Sequence, residues 1–145
     1  MDVREARDTD LPSILHLYQQ LNPNDPQIED GRDKAVFQSI LASDSNHLLI
    51  GEAAGIAIAT CYLSVIPNLS RHASPFGIIE NVVIDQSQRN RGYGKQIMQH
   101  TLTRAWQAGC YKVMLQTGSK RESTHHFYEA CGFKGDDKFA FVARP

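Results

Sequence analysis

Between Arg89 and Lys95 the chain reads RNRGYGK, placing two arginines, two glycines and a lysine shortly after the mostly apolar stretch Ile78 to Ile84. A glycine-rich turn between a strand and a helix start exposes backbone N–H groups that no helical carbonyl satisfies. The helix dipole adds positive potential, so such a place favours an anion, typically a phosphate. Gly92 and Gly94 let the main chain come close where a Cβ would obstruct. Arg89, Arg91 and Lys95 supply charge. Just upstream, in a strand that is otherwise oily, stands Glu80. A carboxylate there can take a proton from a reacting group, directly or through water. The competing readings are a plain surface turn for the glycines and an ion-paired or edge-exposed strand residue for Glu80.

Two nucleotide loops can be set aside. A Walker loop needs Gly-Lys-Ser/Thr, and Gly94-Lys95 is followed by Gln96. A dinucleotide fingerprint needs a third small residue where Ile97 stands, and the next strand has no acidic residue for a ribose. The other reactive side chains offer less. His125 and His126 are adjacent on a helical pattern and do not face one ligand, so no metal site is expected. Cys131 sits beside Gly132 at a helix end, a place suited to packing more than to covalent catalysis. Trp106 reads as a packing residue.

These residues need a scaffold, and the chain is long enough to build one. Its 145 residues fit a single domain, 1–145, with a real core. Fifteen basic and sixteen acidic residues leave a net charge of -1, so nothing global attracts nucleic acid or an anionic membrane. No apolar run approaches the roughly 20 residues of a membrane span, and Met1-Asp2-Val3-Arg4 lacks the apolar core of a signal peptide. Cys61, Cys110 and Cys131 form no CxxC pair and no disulfide framework, which points to a reduced, cytoplasmic protein.

Hydrophobic spacing then gives the elements. Val3 to Ala6 alternates like a short strand, and Asp8, Thr9 and Asp10 offer N-caps for a helix through Ile14, Leu15, Leu17, Tyr18 and Leu21. A loop precedes a short helix through Val36, Phe37, Ile40 and Leu41. Residues 47–66 read as two strands joined at Ala54-Gly55. After the polar loop PNLSRHASP comes the strand Ile78 to Asp85, then a helix from about Gly92 to Gln107 stopped by Gly109. YKVMLQT is a further strand. Ser119 to Glu122 fits a capping box opening a helix that ends at Cys131-Gly132, and KFAFVA closes as a last strand. The order implies α+β architecture around one mixed sheet.

Arg89-Asn90-Arg91-Gly92-Tyr93-Gly94 resembles the R/Q-x-x-G-x-G/A pyrophosphate loop of the GNAT acetyltransferase superfamily. FYEACGF, Phe127 to Phe133, is similar to that family's last-helix signature, and the order of elements matches over essentially the whole chain. IENVVI and GCYKVMLQT resemble glucosamine-phosphate N-acetyltransferases; SKRESTHHFYEACGF is also similar to aminoalkylphosphonate N-acetyltransferases. The resemblance implies a GNAT-like, mainly antiparallel sheet flanked by helices, acetyl-CoA as donor, a small-molecule amine as acceptor, and no metal. It also allows a homodimer.

Acetyl transfer to an amine requires a deprotonated amine, a polarised thioester carbonyl and a protonated leaving thiolate. The resemblance implies pantetheine along Val82, Val83 and Ile84, and pyrophosphate on Arg89, Asn90, Arg91, Gly92, Tyr93, Gly94 and Lys95. Backbone N–H groups near Val82 and Val83 are placed to polarise the carbonyl. Glu80 is the expected base, and Tyr128, with a reference pKa of about 10, the expected acid. Ser119 and Tyr128 are assigned to the donor side, and Arg71, His72, Glu80 and Asn81 to the acceptor side; the loop bearing Arg71 and His72 reads equally well as a plain surface loop. The competing reading of Tyr128 is a core aromatic beside Phe127. Relatives often carry an asparagine six residues before the helix tyrosine, where it contacts pantetheine; Glu122 stands there in this chain. The alternatives are a protein or peptide N-acetyltransferase and a non-catalytic acyl-CoA sensor.

Overall fold

The computed structural model describes residues 1–145, and the chain divides into two compact units, Met1–Leu115 and Gln116–Pro145. The first unit runs β1 (Asp2–Glu5), α1 (Leu11–Leu21), α2 (Arg32–Leu41), β2 (Asn46–Ala53), β3 (Ile56–Ile66), a four-residue turn α3 (Ser70–Ala73), β4 (Phe76–Ile84), α4 (Tyr93–Gln107) and β5 (Val113–Leu115). The five strands lie in sequence order across one sheet. β1 to β4 pair antiparallel, and β5 joins β4 in parallel. A parallel neighbour needs a crossover, and α4 supplies it. The tight turn between β2 and β3 is confirmed: Ala54 and Gly55 have φ of 50° and 75°, the doubly left-handed geometry that matches the twist of a two-residue hairpin.

Alternation along the strands sorts the core into two layers. Leu48 and Ile50 of β2 meet Ile14 of α1 and Phe37 of α2, with Tyr18, Ile40 and Tyr62 around them. The intervening strand residues face the other way. Cys61, which opposes Leu49, meets Thr101 of α4, and α4 buries Ile97, Met98, Thr101 and Ala105. Its C-terminus closes as the sequence implies: Gly109 takes φ 79°, its N–H donates to Trp106, and that of Cys110 donates to Ala105. These are the two bonds of a Schellman cap.

Asp10 departs from expectation. It stands at the N-cap of α1 but makes no capping bond. Its carboxylate accepts instead from Arg4 Nη1 at 2.6 Å, Arg4 Nη2 at 2.9 Å and the Arg7 amide at 2.7 Å. Arg4 also bridges to Glu52 at 2.8 Å. A buried carboxylate is held better by a forked guanidinium than by one amide. Arg4, hydrogen-bonded to Asp10 first, keeps that carboxyl below its usual range.

The second unit contains α5 (Glu122–Ala130). The expected capping box is absent, since Arg121 occupies the N-cap and makes no side-chain cap. The Ser119 hydroxyl instead accepts from the Arg121 amide at 3.3 Å and pairs with the Thr124 hydroxyl at 3.1 Å. At the far end the FYEACGF signature acquires a physical meaning. Gly132 has φ 96°, its N–H donates to Glu129, and the Phe133 N–H donates to Tyr128. This is a second Schellman cap, and its characteristic apolar contact is Phe133 against Tyr128, edge-on at 6.3 Å between centroids. The expected last strand does not form. Residues 138–143 belong to no strand, with Phe139 88% and Phe141 93% exposed. Alternating aromatics suit a pleated surface, but extended backbone needs a ladder, and this unit holds no other strand to provide one.

Candidate functional site

β4 is the strand on which the sequence concentrates its chemistry, and its two edges are unequally occupied. Against β3 it pairs as far as Ile84 opposite Ala59. Against β5 it pairs only from Gly77 to Ile79, opposite Val113 to Leu115. From Glu80 onward the strand therefore has a β neighbour on one side only. Backbone groups on the other side are available to an extended ligand that pairs as a strand would.

A bulge lies at the point of separation. Tyr62 opposes Glu80 and Thr60 opposes Val83, so one residue of β3 spans two of β4. Asn81 takes the left-handed conformation, φ 51°, which asparagine tolerates better than most residues. The extra residue inverts the alternation of the distal half, so that Val83 shares the face of Glu80. Tyr18 of α1 backs this bulge, with its hydroxyl in hydrogen-bond contact with Asn81 and Thr60. Burial pushes the Tyr18 phenol up to about 12, Asn81 and Thr60 partly opposing the shift, so it remains neutral.

Glu80 itself is exposed, opposite Tyr62, and its carboxylate forms no ion pair. This removes the ion-paired reading and leaves two, an edge-exposed strand residue and a base. An uncommitted carboxylate at the end of a half-open strand can accept a proton.

The strand leads into the loop through a well-tied corner. Asp85 accepts from the Ser87 amide at 2.9 Å and from the Ser87 hydroxyl. Gln20 of α1 grips the same corner twice: its Nε2 donates to Asp85 at 3.0 Å, and its Oε1 accepts from the Gln86 amide at 2.9 Å. Hydrogen bonds from Ser87, then Gln20, hold the Asp85 carboxyl below its ordinary range. Arg89 Nε returns to the Ile84 carbonyl at 3.2 Å. Asn90 and Gly92 are left-handed, φ 61° and 80°, and α4 begins at Tyr93. The amides of Tyr93, Gly94 and Lys95 precede the first helical carbonyl and lack intrahelical partners. No acidic residue occupies this first turn, and Arg89, Arg91 and Lys95 form no ion pairs. Three cations beside the positive end of a helix repel it, by about 0.3–1 kcal/mol each. A bound polyanion reverses that sign.

Arg71 and His72 lie in α3, where they and Ala73 are left-handed, with φ of 55°, 58° and 57°. Such geometry costs about 1–2 kcal/mol per residue for side chains other than glycine, and all three are exposed. Glu80, Asn81, Val82, Val83 and Ile84 thus share one strand that ends in the loop Arg89 to Lys95. Ser119 and Tyr128 belong to the second unit. There Tyr128 is half-buried and flanked by Phe127 at 5.1 Å and Phe133 at 6.3 Å. His125 Nε2 lies 2.8 Å from the Ser119 carbonyl, and no cluster of three potential metal ligands exists. Sequence reasoning missed Tyr18 and Gln20, because helical periodicity reports which face is apolar and not which polar tips reach the next element.

The sequence pattern of the acetyltransferase (GNAT) family matches residues 11–133. A glucosamine 6-phosphate N-acetyltransferase 1 of Oryza sativa is 32% identical over 83% of this chain and 72% of its own. Among solved structures, an acetyltransferase candidate from Agrobacterium tumefaciens is 41% identical over both full chains, with a TM-score of 0.94. AAC(6')-Iy in complex with the bisubstrate analogue CoA-S-monomethyl-acetylneamine is 25% identical over 99% of this chain and 97% of its own, with a TM-score of 0.83.

Proposed function

The chain belongs to the acetyltransferase (GNAT) family, and we propose that it transfers the acetyl group of acetyl-CoA to the primary amine of a small molecule by direct attack, residues 1–145 acting as one N-acetyltransferase domain. The observation that carries the reading is β4: a strand open on one side from Glu80, an uncommitted carboxylate at the opening, and an anion-ready helix start at its end. Relatives that act on an amino sugar phosphate and bind a CoA–aminoglycoside analogue support a small amine as acceptor.

Acetyl-CoA supplies an activated thioester; the chain supplies binding, orientation and proton handling. The amides from Arg89 to Lys95, with the three cations around them, hold the pyrophosphate. Val82, Val83 and Ile84 offer backbone to the pantetheine arm, and N–H groups near Val82 and Val83 donate to the carbonyl oxygen. Glu80 accepts the amine proton, directly or through water. The Tyr128 hydroxyl donates to the departing thiolate. Ser119 belongs to the donor side and Arg71, His72 and Asn81 to the acceptor side. Three free, buried thiols support a cytoplasmic setting, and the bare aromatics Phe139 and Phe141 support a homodimer.

The test is a panel of amines followed by thiol release, alongside intact mass spectrometry with acetyl-CoA alone. Release should require an amine, and no stoichiometric adduct should form on Cys131. An adduct there that an acceptor discharges would establish a ping-pong route instead. Release with peptides alone would make this a protein acetyltransferase, and tight acetyl-CoA binding without turnover of any amine would make it a sensor.

A further inference from the structure

At the start of β4 Arg71, already placed on the acceptor side, is joined by Lys112, a second cation that the reaction at Glu80 leaves without a role. Lys112 Nζ lies 5.5 Å from the Phe76 ring centroid and 5.4 Å from that of Tyr111. Arg71 Cζ lies 5.9 Å from the same Tyr111 ring. Two main-chain bonds fix the group in place: the Tyr111 amide donates to the Pro75 carbonyl and the Gly77 amide to the Lys112 carbonyl, each at 2.9 Å. Neither cation has a carboxylate partner. Residues 66–79 and 108–115 contain no aspartate or glutamate at all, while Arg71 and Lys112 converge on the Tyr111 ring. Two cations converging on one tyrosine repel each other, and the aromatic faces offset only part of that.

The loop that delivers Arg71 is held out of its relaxed form. Arg71, His72 and Ala73 are consecutively left-handed yet bury nothing in return. Asn68 spans the turn, donating to the Ser70 and Ser74 carbonyls at 3.0 and 3.2 Å, and the Ser74 amide closes on the Arg71 carbonyl at 3.1 Å. Backbone strain that is tied down without a packing gain marks a functional constraint.

Register connects this group to Glu80. Ile66 opposes Phe76, Ser64 opposes Ile78 and Tyr62 opposes Glu80, so Phe76, Ile78 and Glu80 share one face of β4. Met114 pairs with Ile78, and Lys112, two residues earlier, lies on that face too. Glu80 lies four steps beyond Phe76, roughly 13 Å along the strand.

We propose that Arg71 and Lys112, seated on Tyr111 and Phe76, form an oxyanion subsite for the acceptor, which is therefore an amine carrying a phosphate or phosphonate several bonds away. The proposal rests on the reading of Glu80 as the end where the amine reacts. An acceptor with amine and phosphorus one or two carbons apart cannot span the two ends, and a polycationic aminoglycoside meets like charge.

The experiment compares wild type with the Arg71→Gln/Lys112→Gln double variant. Calorimetry with glucosamine 6-phosphate, coenzyme A being present, reads the subsite without turnover. The wild type should bind it, and the variant should bind at least about tenfold more weakly, the scale of losing charge-assisted bonds to a phosphate. Affinity for acetyl-CoA alone should stay within about twofold, which also reports that the variant folds. Glucosamine, aminomethylphosphonate and neamine complete the panel. Wild type should favour the phosphorylated sugar in kcat/KM, the double variant should lose that preference through KM, and neamine should gain in the variant. Equal binding of glucosamine 6-phosphate by both proteins, or an undiminished preference in the variant, overturns the subsite. Loss of binding in the variant with no turnover of any amine by wild type upholds the subsite and refutes the reaction at Glu80 instead.

Discussion

In the proposed reaction Glu80 and Tyr128 handle different protons, so their removal should fail differently. Tyr128→Phe keeps the ring contacts with Phe127 and Phe133, leaving fold and acetyl-CoA affinity little changed. Turnover should fall about 10²-fold or more if thiolate protonation contributes to the barrier. Full turnover with chemistry shown to be rate-limiting would leave Tyr128 a packing residue. Glu80→Gln is nearly isosteric and removes no ion pair, so its stability cost should be small. Its activity should drop most near neutral pH and partly recover where the amine loses its proton unaided. The pH profile of kcat/KM decides: a variant that keeps the wild-type acidic limb would show that another group is the base. Both residues stand out in the sequence by type and place, and the roles given them are those of the proposal. What was not legible is why the Tyr128 ring stands where it does, since the glycine and phenylalanine that follow it act through a cap that only backbone geometry reveals.

Helix α1 illustrates what sequence periodicity conveys about an element and what it leaves out. Its apolar rhythm announced a core helix, and Ile14 and Leu17 are indeed fully buried. The same spacing was silent on Gln20, whose two bonds to Asp85 and Gln86 tie the helix to the corner before the proposed phosphate loop. Gln20→Ala should therefore raise KM for acetyl-CoA several-fold with kcat nearly unchanged; an unaltered KM would make the clamp incidental. The loop's glycine can be dissected similarly. A Cβ at Gly92 would meet no protein atom within 4 Å, but φ is +80°, so the constraint in the free protein is conformational. Gly92→Val should weaken acetyl-CoA binding strongly in calorimetry, and Gly92→Asn, which tolerates that φ, should weaken it far less. Equal losses would mean that the ligand fills the space of the missing Cβ. At the other end of α1, the Arg4–Asp10 pair gives a pH signature. Arg4 lowers the Asp10 carboxyl in the folded state, so its contribution is complete above the unfolded value, about 3.9, and disappears as pH falls through the lower folded one. Asp10→Asn should cost about 1–3 kcal/mol at pH 7, and the two denaturation curves should converge toward pH 2. A pH-independent difference would assign the effect to packing.

For the molecule as a whole, two separate motifs in the C-terminal half of the chain, 89–94 and 127–133, carried the family, and the strand-and-helix order carried the architecture. The failure came at the last element. The alternation of Phe139 and Phe141 is a sound strand signal, yet a strand pattern specifies a face and says nothing about the partner that must complete its hydrogen bonds. Here those side chains, with Val142 at 64%, remain open to water. Single exposed apolar residues are ordinary on a protein surface, but two aromatics and a valine exposed within four positions are a local concentration of apolar surface, and such concentrations suit association. The homodimer reading assigns that patch to self-association between two copies, and the geometry of alternate residues would let the segment contribute an added strand. Sedimentation velocity over a concentration series should then show a dimer that dissociates on dilution. The Phe139→Ser/Phe141→Ser variant should stay monomeric with an unchanged melting temperature, because neither ring is buried within the chain. A lowered melting temperature in the variant, with a wild type that is monomeric at every concentration, would mean that the segment packs within its own chain in solution, and the dimer reading would fall with it.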